Sequence, residues 1–133
     1  AEASEAPPFE LAEIEGAFGG SLQLVQLSLD RFDSTLVEQM AALWVSRRFK
    51  ELSRVAHQAK SNFGYICAHK AKHAVWRVEM AALGLANGLG GPSGDDPLLL
   101  AEVSDALDAA TAEMRRVRPE VARALAHVRS RRA

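Results

Sequence analysis

From Ser21 to Ser46 neither proline nor glycine interrupts the chain, and apolar side chains return at intervals of three and four: Leu22, Val25, Leu29, Phe32, Leu36, Met40 and Leu43. That interval is the stripe of an amphipathic α-helix, and it predicts one long helix over this whole stretch. Leu24 and Leu27 fall off the stripe, so either a short helix around Phe9–Ile14 covers them or they form an exposed apolar patch. Glycine and proline gather elsewhere, in the opening residues, around Gly16–Gly20, and in NGLGGPSGDDP from Asn87 to Pro97. These clusters divide the chain into long segments, and each segment has the same periodicity.

The second stripe is Phe49, Leu52, Val55, Ala56, Ala59, Phe63 and Ile66. One more turn in that phase would bring Lys70 into the core, so a turn is expected between Tyr65 and Ala68. A third stripe in a new phase follows at once, through Ala71, Ala74, Val75, Val78, Ala82 and Leu85. Asp95-Asp96-Pro97 supplies an N-cap and a first-turn proline for a fourth helix. Its stripe of Val103, Leu107, Ala110, Met114 and Val117 continues in register as Val121, Leu125 and Val128, so Pro119 is expected to kink the helix rather than end it. Acids near its start and arginines near its finish suit the helix dipole. No strand pattern and no repeat is present. The expected fold is therefore all-α: an up-down-up-down antiparallel four-helix bundle over residues 9–133, with a short extra N-terminal helix and a flexible lead-in over residues 1–8.

A chain of 133 residues, 48% hydrophobic and 25% charged, suits a single domain. With a net charge of -1 it has no overall attraction for nucleic acid or an anionic membrane, and a monomer is expected. The acidic start and the arginine-rich finish read as solvated ends. The single cysteine, Cys67, can form no intramolecular disulfide and lacks the companions of a zinc motif, which favours a reducing compartment. With no apolar run of membrane-spanning length and no secretory leader pattern, a cytoplasmic location is expected, or a nuclear one in a eukaryote.

Projected at about 100° per residue, the second helix turns His57 about 140° away from Leu52, with Lys50, Ser53, Lys60, Ser61 and Gly64 on the same outward side. A glycine in an exposed helix costs roughly 1 kcal/mol relative to alanine and brings no packing gain, so the face beside His57 has been kept bare. Neutral imidazole, with a reference pKa near 6.5, is a good nitrogen nucleophile, and Lys60 one turn away offers a mobile cation for phosphoryl oxygens. No nucleotide-binding loop and no acidic metal cluster accompanies them, so a phosphoryl donor must be another protein. Taken as a pair, an outward histidine and lysine are ordinary solvated surface; the bare glycine and the all-helical setting make them a candidate site. His69 and His73 stand four apart, the spacing at which two imidazoles share a metal, but a third ligand is missing and Lys70, Lys72 and Arg77 oppose a cation, so no metal site is assigned. Trp76, outward on the third helix, is either covered by another segment or a contact residue.

The stretch VAHQAKSNFGYICA, Val55–Ala68, closely resembles the signature of histidine-containing phosphotransfer domains, approximately A-H-x-x-K-G-S-x-G-x-I-G-A, which lies on the second helix of a four-helix bundle. Ala56, His57, Lys60, Gly64, Ile66 and Ala68 fall on that pattern, and Ala71, Ala74, Val75 and Val78 followed by Glu79 look like the family's next helix. The resemblance covers roughly Gly20 to Val117 and is specific only around His57. It implies a phosphorelay intermediate in which His57 takes a phosphoryl group from the aspartyl phosphate of one receiver domain and passes it to another, with Lys60 steadying the phosphoryl oxygens. It also implies no cofactor of the chain's own and no activity alone, because the receiver brings Mg2+ and most of the catalytic apparatus. The implied partners are response-regulator receiver domains and a hybrid sensor histidine kinase, docking around Lys50, Ser53, Gln58, Ser61 and Gly64. Two positions depart from the pattern: Ser61 stands where glycine is usual, and Cys67 replaces the glycine of the inter-helix turn. An alternative follows from Ser61, a helical docking module that binds receivers or other signalling proteins without transferring phosphate.

Overall fold

The computed structural model describes residues 6–88 and 96–133, in which all regular structure is helical. Six helices follow in order: α1 (Leu11–Ala17), α2 (Leu22–Asp30), α3 (Leu36–Val45), α4 (Phe49–Tyr65), α5 (His69–Ala86) and α6 (Pro97–Arg132). The stripes turn inward as their periodicity demands. Leu52, Val55, Ala56, Ala59 and Phe63 of α4 meet Ala71, Ala74, Val75, Val78 and Ala82 of α5, and all are buried. The alanines let these two helix backbones lie close along their length. α5 is flanked by α4 on one side and α6 on the other, α3 covers the far side of α4, and α2 packs on α6. No helix among the described residues is long and apolar enough to cross a membrane.

The expected first long helix is instead two helices, α2 and α3, broken between Arg31 and Thr35. The interruption is made by short polar side chains that compete for backbone groups. Asp33 Oδ1 accepts from the backbone N–H of Thr35 at 2.8 Å and from its hydroxyl at 2.5 Å. Across from it, Asn62 of α4 accepts from Asp33 N–H at 2.9 Å and donates to the Asp33 carbonyl at 3.0 Å, satisfying the backbone that the break leaves without helical partners. Phe32 meanwhile packs against Phe63 with the rings tilted by 54° and their centroids 5.6 Å apart. The apolar stripe keeps its phase through the break, which is why spacing alone does not reveal it.

Four helix ends share one device. After α1, α3, α4 and α5 a residue with left-handed backbone follows, at Gly19 (φ 62), Arg47 (φ 59), Cys67 (φ 57) and Gly88 (φ 75). At the α4 end Cys67 N–H reaches the Gly64 carbonyl at 3.1 Å and Ala68 N–H reaches the Phe63 carbonyl at 3.0 Å. The turn therefore falls where the phase change places it, and Cys67 holds the conformation that glycine adopts without strain.

The 36 residues of α6 run unbroken through Pro119, about 54 Å at 1.5 Å per residue. Asp96 caps its start, accepting from Leu98 N–H at 2.9 Å and Leu99 N–H at 3.2 Å. Asp95, paired with it in the sequence reading, and the glycine-rich stretch from Leu89 onward lie outside the described residues, as do the first five residues of the lead-in. The far half of α6 buries Val121, Ala124 and Val128. Its arginines are more than a solvated end: Arg131 pairs with Glu15 at 2.9 Å, Arg129 with Asp30 at 3.0 Å, and Arg118 with Glu38. α1 begins at Leu11, with Phe9 and Ile14 buried. Leu24 and Leu27 stay 44% and 42% exposed, so α1 does not cover them.

Candidate functional site

His57 stands mid-way along α4 with its side chain 63% exposed, as its angle from the buried stripe requires. Its ring is held from one side. Nδ1 lies 2.8 Å from Oε2 of Glu79, which α5 brings against the flank of α4. The same carboxylate receives the Lys60 ammonium, with Nζ 2.9 Å from Oε1. Oε1 is buried, and this ion-pair contact, out of line for a good hydrogen bond, is its one partner among the described residues. Burial, the largest influence on Glu79, pushes its pKa up; the Lys60 ammonium and the His57 ring together outweigh it and leave the carboxyl below its ordinary value. An ionised carboxylate can only accept, so the proton of the neutral imidazole sits on Nδ1 and the lone pair on Nε2. That nitrogen is the one turned away from Glu79, toward solvent.

The outward residues expected around His57 separate on inspection. Ser53, expected on the docking face, is buried at 8% exposure, and its hydroxyl donates to the Glu79 carbonyl at 3.1 Å. It lies about 100° from Leu52, the margin of the outward face, and α5 covers that flank. Lys60, two turns along the same flank, is drawn partly inward to Glu79 and is 26% exposed. Lys50 is exposed at the start of α4, two turns from His57, and is not brought to it. Gln58 and Ser61 are exposed on the other flank, where they edge a groove of about 550 Å3 between α2 and α4. Phe18, Leu24, Leu27, Leu36 and Tyr65 supply its apolar lining. The break at Arg31–Thr35 makes this groove, because α3 stays on α4 while α2 turns onto α6. Gly64 is open above: a methyl group there would have as its nearest neighbours only the Lys72 side chain, at 3.8 Å.

Sequence reasoning placed Glu79 next to the third stripe without giving it a role. Its one signal is a lone acid directly beside the buried Val78, which must find cations once α5 packs. Lys72, part of a basic surface by its sequence, has its ammonium over Gly64. His69 and His73 do not converge on a common point: His69 Nε2 meets Glu13 Oε2 at 2.6 Å, and His73 stacks on Trp76 with centroids 5.6 Å apart. Among the described residues no group of three or more His, Cys, Asp or Glu side chains is assembled as a cage for an ion. Trp76 is 43% exposed, so none of the described segments fully covers it.

No family model, curated protein or solved structure matches the chain. An imidazole on an exposed side chain has its Nδ1 against a largely buried carboxylate, and an ammonium stands within one turn. Such a group can attack an electrophile carried by another molecule.

Proposed function

We propose that the protein is a phosphoryl carrier in a histidine–aspartate relay. The Nε2 lone pair of His57 attacks the phosphorus of an aspartyl phosphate on one receiver domain; the N–P bond forms as the P–O bond to the aspartate breaks, and the carboxylate leaves with the bonding pair. The reverse step on a second receiver passes the group on. No proton is consumed, since Nδ1–H stays with Glu79, whose negative charge offsets the positive charge developing on the ring. Lys60 serves Glu79 in the resting protein and is within one turn of the phosphoryl oxygens once the ring is loaded. Magnesium belongs to the receiver, and the chain carries no cofactor of its own. On this reading α2 with α3, then α4, α5 and α6, are the four members of an up-down-up-down bundle, and the bare face of Ser61 and Gly64 with Gln58 receives the partner. Ser53 has no part in that docking.

The observation that carries the reading is the 2.8 Å contact between Nδ1 and Glu79 on a side chain that is 63% exposed, an arrangement in which the neutral imidazole has its lone pair on Nε2. The test is incubation with a phosphorylated receiver, scored as acid-labile, alkali-stable phosphate on the protein. His57→Gln abolishes it; labelling of that variant at the wild-type rate removes His57 from the mechanism. Ser61, edging the groove where the family signature has glycine, is the one feature favouring a docking module without transfer. Binding of receivers with no phosphohistidine from any of them would decide for that reading.

A further inference from the structure

The outward surface of α5 carries a second pattern, distinct from its buried stripe. His69, His73, Trp76, Met80, Leu83 and Asn87 follow one another at alternating intervals of four and three, the heptad seam by which one helix packs along another. Helices of globular proteins bury such seams, yet this one lies open between the flanks taken by α4 and α6, with Trp76 43%, Met80 48% and Leu83 41% exposed. The ring stack of His73 on Trp76 stiffens its N-terminal half. Cations border that half on both flanks, Lys72 toward α4 and Lys70 toward α6, and neither has a carboxylate within ion-pair distance among the described residues. Arg77, further along the α6 flank, is by contrast fully engaged, by Glu102 at 2.7 Å and Asp105 at 2.7 Å.

We infer that the α5 seam is a docking site for one amphipathic helix of another protein, with apolar residues at heptad spacing and acidic residues along their flanks. The spacing selects a helix as the occupant, and the two lysines, without a carboxylate partner among the described residues, select acids beside its apolar row. The molecule contains a small instance of the same pairing, since Glu13 of α1 already reaches His69 at the head of the seam. A second copy of the chain fits less well. Paired parallel it would set Lys70 and Lys72 against themselves, and paired antiparallel it would set them against the uncharged end with Met80 and Leu83. The inference does not depend on phosphotransfer at His57.

The test uses the full chain with Trp44→Phe, so that fluorescence reports Trp76 alone. The probe is a synthetic helix of about three heptads, leucine at the seam positions and glutamate on both flanks, whose like charges keep it from pairing with itself. A twin peptide carries lysine in place of glutamate. The acidic peptide should shift Trp76 emission to the blue saturably and bind about tenfold more tightly than its twin, and Met80→Glu should weaken it about tenfold, the effect of losing one central apolar contact. Lys70→Glu together with Lys72→Glu should reverse the preference between the two peptides, a readout that a folding defect cannot produce. Absence of a saturable shift, equal affinity for the two peptides, or binding indifferent to Met80→Glu overturns the proposal. So does a dimer of the unmodified chain in sedimentation that Met80→Glu dissociates, which would give the seam to a second copy.

Discussion

At the residue scale the deciding group is Glu79, which fixes both what His57 presents and what Lys60 is free to do. Glu79→Gln keeps the size of the side chain but can neither hold the Nδ1 tautomer electrostatically nor offset a charged ring, so the initial rate of phosphoryl uptake from a receiver should fall by about ten- to a hundredfold, the scale of a misplaced reacting group. The same carboxylate predicts a pH dependence of stability. Its pKa lies below the unfolded value, so its contribution is complete above the unfolded carboxylate range near pH 4.3 and is lost as pH falls through the lower folded value. Urea unfolding of the wild type followed downward from pH 6 should therefore lose stability more steeply on the acid side than Glu79→Gln does. Matching slopes would show that the His57–Glu79–Lys60 arrangement contributes nothing to folding.

At the scale of single elements, two devices shape the face that carries His57. One is the Asn62 side chain, whose two bonds to Asp33 hold the ends of α2 and α3 apart. Asn62→Ala leaves a partly buried N–H and C=O without partners and should cost about 1–3 kcal/mol in urea unfolding. Since α2 is then less firmly placed, the emission of Tyr65 and the exposure of Leu24 and Leu27 should change with it. The other device is the use of glycine, which serves opposite ends in two helices. Gly19 has a left-handed backbone with nothing within 4 Å of an added methyl group, so Gly19→Ala should cost about 1–2 kcal/mol through backbone strain alone. Gly64 has ordinary helical backbone and room for the methyl group, so Gly64→Ala should leave stability unchanged or raise it by up to about 1 kcal/mol. If a partner's backbone approaches there, the same variant should lose phosphoryl uptake while melting no lower than wild type.

Across the whole molecule, α6 is the member that joins the two ends of the chain. Its first half backs α5, and its second half covers α2 and contacts α3, burying Val121 and Val128 opposite the layer that holds Val25 and Leu29. A chain ending at Val117 would uncover that layer, and it should lose the sharp cooperative melting of the full protein while gaining dye-binding apolar surface. The ion pairs along this half matter less than they look. Arg129 and Arg131 are exposed, so raising salt to about 1 M should lower stability by less than about 1 kcal/mol if burial rather than charge holds α6 in place.

Periodicity by itself determined the all-helical class, the faces that turn inward on α4, α5 and α6, the turn at Cys67 and the passage of α6 through Pro119, because burial of one face imposes a spacing that can be read without coordinates. The outward angle of His57 follows from the same geometry. The break between α2 and α3 was not legible in that way, since the stripe stays in phase while Asn62, twenty-nine residues from Asp33 in sequence, supplies the bonds that make the break tolerable. Nor were the burial of Ser53, the inward reach of Lys60 and the role of Glu79. Each depends on which neighbour packs against a flank, and an ionisable group acquires its tautomer, its partners and its pKa only when tertiary contact brings opposite charge and low solvation to the same place.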